Sequence, residues 1–387
     1  MSSVERSASR HVAMLVDARG VYARELVRGI VRYASERAGW VTCDMSQTAG
    51  RRLAAQLTDW QTDGVLAGVD DSGVAKTILN SGIPAVDLRG TLLNAGFPTV
   101  RSDDEAVAQL AIEHLVNRGF RQLGYIAIPN DSCVPTTDAF ARQFLAAAAA
   151  AEISASVFRV RSGEPASARQ TRLTRWVASL PKPVGIVAGD DVHGVLALEC
   201  CHRVGVAVPE MAAVLGIGND DCLCSLSSPS LSSIDLNPQR IGYDAAGLLD
   251  RMIDGESVDA RDVLVEPRGV VTRVSTDVLA AEDSTVTRAV EFIRRRACSR
   301  IGVNDVANHV KMSKTTLESR FNRVLGRTVY QEIRRVQIER VKELLVTTDA
   351  PLKQIAAQTG FCYEEYLMRV FRRVTGETMT QYRRRLK

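Results

Sequence analysis

The feature of the sequence that most constrains the fold is an alternation of short apolar runs with amphipathic stretches over the first 270 residues. Apolar runs at 11–16 and 63–69 predict strands, and the stretch at 20–37 repeats its apolar side chains at helical spacing. Such alternation is typical of parallel sheets with helices on both faces. The pattern is too long for one compact sheet and restarts near residue 120, so it predicts an α/β fold of two doubly wound parallel sheets, in two lobes with a cleft between them.

Polar residues follow several of the predicted strands. In doubly wound sheets, ligands bind at the carboxyl ends of the strands. Carboxylates and amides there accept hydrogen bonds from vicinal hydroxyls, and arginine donates to them, which suits a neutral polyhydroxylated ligand such as a sugar. The candidate ligand-binding residues are Tyr22, Arg24, Asp70, Asp191, Asn219 and Asp220. Asp and Asn are also favoured as helix N-caps, and for any single residue this alternative stays open.

The stretch GIGNDDCLCSLSSPSLSSIDLN at 216–237 collects acids and cysteines, which raises the question of a metal or acid–base site. The eight cysteines contain no C-x-x-C pair and the five histidines have no ligand spacing, so we expect no metal and no cofactor. Cys222 and Cys224 are interpreted as packing residues. The carboxylates at 190–191 and 220–221 have no accompanying nucleophile with a positioned base, so we assign no catalytic residue. A carbohydrate-active enzyme is therefore the disfavoured alternative.

No nucleotide-binding or hydrolase motif is present: the chain lacks G-x-G-x-x-G after its first strand, the P-loop, the G-x-S-x-G elbow and H-E-x-x-H. Nor does any apolar run approach the roughly 20 residues that cross a bilayer. The N-terminal segment lacks the long apolar core and cleavage site of a signal peptide. We therefore expect a cytoplasmic protein without a membrane partner.

The charge is distributed unevenly along the chain. Residues 284–387 hold 22 Lys and Arg against 10 Asp and Glu, whereas the first 283 residues hold 27 against 35. A basic segment joined to an acidic one indicates that the C-terminal part meets a polyanion. Double-stranded DNA is the expected partner.

The same C-terminal segment contains a repeated helical pattern. DVANHVKMSKTTLESRFNRVLGRT and QIAAQTGFCYEEYLMRVFRRVTGET align, and an apolar helix at 333–348 separates them. In the first copy Ser313 follows a tight turn and can cap a second helix, while the small side chain of Ala307 lets the two helices pack closely. Two such copies in a basic segment predict an all-α domain with two helix-turn-helix motifs, at about 303–324 and 352–374.

These motifs resemble two known families. DGVLAGVDD, PVGIVAGDDVHG and SPSLSSIDLNPQRIGYDAAGLL are similar to the periplasmic-binding-protein-like sensor of lactose-repressor-type regulators, over about residues 11–270. The C-terminal pattern resembles the DNA-binding domain of the AraC/XylS family. The implied domains are a sugar sensor at 1–274, a linker at 275–285 and a DNA-binding domain at 286–387. Together they imply a transcriptional regulator of a sugar-utilisation operon, with xylose or a related sugar as effector, acting as a homodimer and contacting RNA polymerase if it is an activator.

By this resemblance, the second helix of each motif enters the major groove. Outward-facing residues then read base edges or bind phosphates: Lys314, Thr315, Glu318, Ser319 and Arg323 in the first copy, and Tyr363, Glu364, Glu365, Met368, Arg369, Arg372 and Arg373 in the second. Arg320 lies off this face and is expected to be structural. Glu364 and Glu365 either accept from cytosine or only favour the helix dipole, and both interpretations stay open.

The sensor departs from its family at two places. Gly218 stands where the family usually has aspartate, and the loop at 130–144 lacks the tryptophan that often lines this pocket. Both leave the identity of the sugar open. A sensor that only dimerises, without a ligand, is the remaining alternative.

Overall fold

The computed structural model describes residues 9–37, 39–47, 50–90, 96–129, 138–258, 262–277 and 283–386. Its strands are β1 (Arg10–Leu15), β2 (Trp40–Asp44), β3 (Gly64–Ala67), β4 (Ala85–Asp87), β5 (Thr99–Ser102), β6 (Gln122–Ala127), β7 (Ser154–Arg159), β8 (Val184–Ala188), β9 (Ala212–Ile217), β10 (Ser232–Asp235), β11 (Asp262–Val265) and β12 (Gly269–Val271). The helices of the first 277 residues are α1 (Val21–Arg37), α2 (Gly50–Asp59), α3 (Ser72–Ser81), α4 (Asp104–Val116), α5 (Asp138–Ala150), α6 (Ala166–Ser179), α7 (Asp191–Arg203), α8 (Asp221–Leu226) and α9 (Pro238–Ile253). The C-terminal helices are α10 (Ser284–Arg296), α11 (Val303–His309), α12 (Lys314–Leu325), α13 (Val329–Thr347), α14 (Leu352–Gln358), α15 (Glu364–Thr375) and α16 (Met379–Leu386).

The strands form two six-stranded sheets, one in each lobe. The order in lobe one is β11-β5-β4-β3-β1-β2, and in lobe two it is β12-β10-β9-β8-β6-β7. All neighbouring strands are parallel except β12, which runs antiparallel to β10 at the edge of lobe two. The two doubly wound lobes predicted from the alternation are confirmed.

The chain crosses between the lobes three times. It passes from β5 to β6 through α4, from β10 into α9, and from β11 to β12. After the second crossing, α9 packs directly on α1: a Cβ at Gly29 would lie 1.9 Å from the Gln239 carbonyl oxygen, and one at Gly242 would lie 2.0 Å from that of Leu26. Only glycines allow two helices to approach so closely. The helix that follows a lobe-two strand thus becomes part of lobe one.

The C-terminal helices enclose two separate apolar cores. The first module consists of α10, α11, α12 and the start of α13, which contributes Val329 and Ile333 to its core. The second module consists of the rest of α13, with Val341 and Leu345 in its core, and of α14, α15 and α16. The predicted all-helical domain with two helix-turn-helix motifs is confirmed, and the long helix α13 is shared between them.

Several short elements were not predicted. They are β5, α8, β12 and a single 3-10 turn at Val274–Thr276. Ser275 and Thr276, which were expected to begin a linker, are fully buried. The Ser275 hydroxyl donates to the Val214 carbonyl oxygen at 2.6 Å, and His114 Nε2 lies 2.9 Å from the Thr276 hydroxyl. The segment after β12 is therefore part of lobe two as far as Asp277.

Within the described ranges, no helix is both long and apolar enough to cross a membrane. Of the loop at 130–144, which lacks the expected tryptophan, residues 130–137 lie outside the described residues.

Candidate functional site

Asp191 joins three segments at the carboxyl ends of the lobe-two strands. It begins α7, directly after β8, and is 4% exposed. Its Oδ1 accepts from the Ser233 hydroxyl at 2.5 Å and its Oδ2 accepts from the Asp220 amide at 2.7 Å. Burial raises the pKa of Asp191 to about 7, although these two hydrogen bonds oppose the shift. Because both oxygens have protein partners, Asp191 organises this end of the sheet.

Several other acids at strand ends are helix N-caps, the alternative that the sequence left open. Asp71 caps α3, Asp103 caps α4, Asp190 caps α7 and Asp220 caps α8, in each case by accepting from backbone amides of the first turn. The candidate Asp220 uses Oδ1 for this bond, at 3.1 Å from the Leu223 nitrogen. These carboxylates therefore have a structural role whatever else they contact.

Asn219 is held at the mouth of lobe two by a distant arginine. It adopts a left-handed backbone conformation, with φ of 54°. Its Oδ1 accepts from Arg273 Nη2 at 3.0 Å, and the same guanidinium forms an ion pair with Asp221 at 2.8 Å. The preceding Gly218 has φ of 121°, which a side chain disfavours. The loop after β9 thus has a fixed shape that requires glycine at position 218.

In lobe one, Tyr22 faces a charged group of residues. Its hydroxyl is buried and has no hydrogen-bond partner among the described residues. Burial raises the pKa of Tyr22, while the nearby charge of Arg89 opposes the shift. The charge of Asp104 also raises the pKa of Tyr22. Burial raises the pKa of Asp104 itself to about 6, and the charge of Arg101, 3.4 Å away, opposes that shift. A buried hydroxyl without a partner is costly, so the Tyr22 hydroxyl has unused capacity for a hydrogen bond to a polar ligand.

Two other candidates have partners in the structure. Asp70 lies 3.7 Å from Arg89, and its side chain is 58% exposed. Arg24 donates to the carbonyl oxygens of Ala18 at 3.2 Å and Arg19 at 2.6 Å, so it orders the loop after β1. Asp70 therefore lies at the strand ends with much of its carboxylate accessible to solvent. Arg24 binds backbone carbonyl oxygens.

Sequence reasoning missed three charged residues of these strand ends. Arg89 follows the strand β4. Because the other candidates were selected as polar residues that follow a strand, the same criterion could have identified Arg89. Asp104 follows β5, a strand that was not predicted. Arg273 has partners more than 40 positions away in the chain and no local motif. The group as a whole offers hydrogen-bond donors and acceptors without a nucleophile, which suits reversible binding of a polar ligand.

The first predicted reading helix, α12, is capped by Ser313 and presents Lys314, Thr315 and Ser319 to solvent. Glu318 is half-buried, and its Oε2 accepts from the Val329 amide at 3.1 Å, so it caps the start of α13. Arg320 and Arg323 approach the α10 cap Asp283 at 3.2 Å and 3.7 Å. Arg323 keeps 74% of its side chain exposed, whereas Arg320 is more enclosed.

The second predicted reading helix, α15, has a strongly basic and exposed outer face. Of the predicted reading residues, Glu365, Met368, Arg369, Arg372 and Arg373 are exposed on this helix, Tyr363 is exposed at its N-cap and Glu364 is half-buried. The Arg369 guanidinium lies 5.6 Å from the centre of the Tyr366 ring. Apolar residues of the same helix, including Leu367 and Phe371, are buried in the second module. The helix thus separates a packing face from a face that can meet DNA.

Polar contacts join the first module to lobe two. Arg327 donates to the carbonyl oxygen of Asn117 at 2.8 Å and to its Oδ1 at 3.1 Å, at the C-terminal end of α4. The same guanidinium pairs with the fully buried carboxylate of Glu332, 2.6 Å away. Arg294 of α10 pairs with Asp277 at 3.1 Å.

The second module contacts the crossings between the lobes through α16. Arg268, between β11 and β12, donates to the Leu386 carbonyl oxygen at 3.4 Å, and its neighbour Glu266 pairs with Arg385. Arg240, in the first turn of α9, donates to the Arg384 carbonyl oxygen at 3.3 Å. The last helix of the chain therefore lies against two of the three lobe crossings.

Three family models match the chain. The "XylR N-terminal domain" matches residues 11–101, the "Periplasmic binding protein-like domain" matches residues 112–276, and the "Helix-turn-helix domain" matches residues 306–385. Their order agrees with the two lobes and the helical domain.

Similar proteins cover the whole length of the chain. The xylose operon regulatory protein of Haemophilus influenzae is 30% identical over 96% of this chain and 97% of its own. That of Escherichia coli strain K12 is 28% identical over 97% of both. The solved structure of the xylose-binding transcription activator XylR has a TM-score of 0.61 at 27% identity and covers 98% of both chains.

Proposed function

The chain belongs to the family of the xylose operon regulatory proteins, which are DNA-binding transcriptional regulators, and on that premise we propose that D-xylose or a related sugar binds between its two lobes and controls its binding to DNA. The observation that carries the proposal is that the similarity extends through sensor and DNA-binding domain together. The regulator of a sugar-utilisation operon is thus the function that the molecule supports best.

The polar strand ends support a sugar as the effector. Tyr22 in lobe one and Asn219 in lobe two supply uncharged hydrogen-bonding groups, and Asp70 supplies an exposed carboxylate. Sugar hydroxyls both donate to carboxylates and accept from hydroxyl and amide groups. We propose Tyr22, Asp70, Asn219 and Asp220 as direct contacts. Arg24 and Asp191 belong to the same site by fixing the loops around it.

The sugar signal reaches DNA through the contacts of α16 in this proposal. Closure of two lobes around a ligand changes the backbone at their crossings, which act as hinges. Glu266, Arg268 and Arg240 flank two of these crossings and hold α16, a helix of the second module. A ligand that favours the closed lobes therefore favours one placement of the DNA-binding helices, by the difference in its affinity for the two states.

The remaining parts of the proposal concern assembly and DNA contacts. We propose a cytoplasmic homodimer that places two DNA-binding domains on operator half-sites and contacts RNA polymerase if it activates. The sensor ends at Asp277 in this scheme, and α10, capped by Asp283, opens the DNA-binding domain. The proposed reading residues are those of α12 and α15 named above, with Glu318 and Arg320 acting through packing. Glu364 and Glu365 stand in the first turn of α15, where acids favour the helix dipole.

Calorimetric titration tests the proposal. The full-length protein is titrated with D-xylose, other pentoses and hexoses, and Tyr22→Phe is titrated beside it. We expect saturable binding of one sugar per chain, weakened about tenfold in Tyr22→Phe because one hydrogen bond to the ligand is lost. A sensor that only dimerises would give no heat with any of these sugars and no shift in melting temperature.

A further inference from the structure

The two helix-turn-helix modules meet at a junction in the middle of α13. Gln337 is buried there, and its Nε2 donates to the Ala297 carbonyl oxygen of the first module at 2.8 Å. Gly360, in the turn of the second motif, lies against the same strip of backbone. A Cβ at Gly360 would lie 2.9 Å from the Cys298 carbonyl oxygen and 3.0 Å from that of Ala297. The modules are therefore in direct backbone contact.

Arg334 occupies the centre of this junction. Its guanidinium carbon lies 4.9 Å from the centre of the Phe361 ring and 5.1 Å from the ring centres of both Tyr330 and Tyr366. These distances are within the range of cation–π attraction. Two of the three rings, Phe361 and Tyr366, belong to the second module, whereas Tyr330 lies in the first turns of α13, beside the core of the first module.

Hydrogen bonds complete the arrangement. Arg334 Nε donates to the Tyr330 hydroxyl at 2.9 Å and Nη1 donates to Gln337 Oε1 at 2.9 Å. The hydroxyls of Tyr330 and Tyr366 lie 3.1 Å apart. The planar fork of arginine can stack and donate in several directions at once, which lysine cannot do. The chain of contacts runs from Ala297 through Gln337 and Arg334 to Tyr366.

Tyr366 connects this junction to the DNA-reading face. It lies in α15, and Arg369 packs one helical turn further along against the same ring. Any rotation of the second module about α13 would therefore separate Tyr366 from Arg334 and displace Arg369. We propose that Arg334, with Tyr330, Tyr366 and Gln337, fixes the distance and angle between α12 and α15, so that the chain reads two successive major-groove segments at one spacing only.

Arg334 and Tyr366 are positioning residues in this proposal, because they act through α15 without reading bases themselves. Successive major-groove segments on one face of DNA are separated by about 10 base pairs. Adding or removing one base pair between them rotates one segment about the helix axis relative to the other. A rigid pair of reading helices cannot follow that rotation, whereas a pair joined flexibly can.

The test measures spacing preference and not affinity alone. A DNA site is selected from random fragments by the full-length protein, and the two segments protected by the modules are located by hydroxyl-radical footprinting. One base pair is then added or removed between them. For the unmodified protein we expect each change to lower affinity about tenfold or more, as a mismatched contact does. For Arg334→Ala we expect the same changes to lower affinity less than about threefold.

Arg340→Ala is the matched control. Arg340 lies on the same helix but forms an exposed ion pair with Glu343 at 2.6 Å, so its removal should leave the spacing preference intact. Circular dichroism shows whether Arg334→Ala folds. If it does not, Tyr366→Phe, which keeps the ring and removes only the hydroxyl contact, is used to measure the spacing preference instead. An unmodified protein that tolerates the spacing changes, or variants that keep its full spacing preference, would overturn the proposal. The experiment uses no sugar, so failure of the sugar proposal leaves its outcome unaffected.

Discussion

Arg273 and Asn219 are joined within lobe two by a hydrogen bond of 3.0 Å from Nη2 to Oδ1. Asn219 belongs to the loop after β9, whereas Arg273 begins the buried segment that leads to Asp277 and its ion pair with Arg294 of the DNA-binding domain. Arg273 also donates to the Leu231 carbonyl oxygen at 2.9 Å. The loop proposed to meet the sugar is thus connected through the five residues 273–277 to the base of the DNA-binding domain.

Replacing Gly218 by aspartate, the residue that the family resemblance predicts at this position, should destabilise this protein. The φ of 121° at this position is strained for any side chain, so we expect a loss of about 1–3 kcal/mol in unfolding free energy. Urea denaturation measures it. Gly218→Ala carries the same backbone strain without a carboxylate and should lose a similar amount. If Gly218→Asp is as stable as the parent and binds xylose more tightly, the loop is not shaped as described.

Asp191 should make the sensor less stable as the pH rises. Its pKa is about 7 in the folded protein, against 3.8 for the ordinary carboxyl group. The folded state therefore binds a proton more tightly than the unfolded state, and this stabilisation, complete below pH 3.8, is lost as the pH rises through 7.

Asp191→Asn tests that expectation, because an amide can accept from the Asp220 nitrogen and donate to the Ser233 hydroxyl without titrating. Melting temperatures measured from pH 5 to pH 8 should fall less steeply for Asp191→Asn than for the parent. Parallel curves for the two proteins would show that Asp191 does not titrate in this range.

Glu266→Gln should weaken the coupling between sugar and DNA while leaving sugar affinity unchanged. The substitution removes the ion pair with Arg385 of α16 at the crossing between β11 and β12. We expect the ratio of operator affinities with and without sugar to move towards one, by about two- to fivefold, as for an exposed pair. Glu256→Gln is the control, since Glu256 forms a similarly exposed pair with Arg251, 2.6 Å away, and does not contact α16. If both substitutions change the ratio of operator affinities equally, α16 does not transmit the sugar signal.

Arg369→Ala should alter sequence preference, whereas Arg373→Ala should weaken binding to all sequences alike. Arginine that pairs bidentately with guanine contributes discrimination at one base pair, and arginine on phosphate does not. We expect about a ten- to hundredfold loss on the selected site for Arg369→Ala, together with relaxed preference at one position. Competition gel shifts against a set of single-base variants measure both quantities. An unchanged preference in Arg369→Ala would show that α15 is placed differently on DNA.

The fold could be predicted from the sequence where the hydrophobic pattern is long and regular. The strand predicted at 11–16 and the helix predicted at 20–37 match β1 (Arg10–Leu15) and α1 (Val21–Arg37) to within one residue at each end, because buried parallel strands and amphipathic helices leave clear periodicities. The six-residue helix α8 was missed, since it is too short to show a period and its only signal is the cap at Asp220. Short strands such as β5 were missed for the same reason.

The candidate site was less predictable because its contacts are distant in sequence. The partners of Asp191 lie 29 and 42 positions away, and no local pattern distinguishes such an acid from a helix cap. The polar residues Ser275 and Thr276 were interpreted as part of a linker because of their polarity. Their hydroxyls are instead hydrogen-bonded to Val214 and Ser232 inside lobe two. The sequence gives the residue type but does not show whether a hydroxyl is buried with hydrogen-bond partners or exposed to solvent.

Operator affinity measured with and without sugar shows whether a sugar effector controls DNA binding by this protein. The full-length protein is titrated into a labelled fragment of its selected DNA site, and fluorescence anisotropy is recorded without sugar and with saturating D-xylose, L-arabinose or D-ribose. We expect one of these sugars to change the dissociation constant by about 5- to 150-fold, the range typical of coupling between two sites. An unchanged dissociation constant with every sugar, in a protein that binds the DNA specifically, would contradict this expectation.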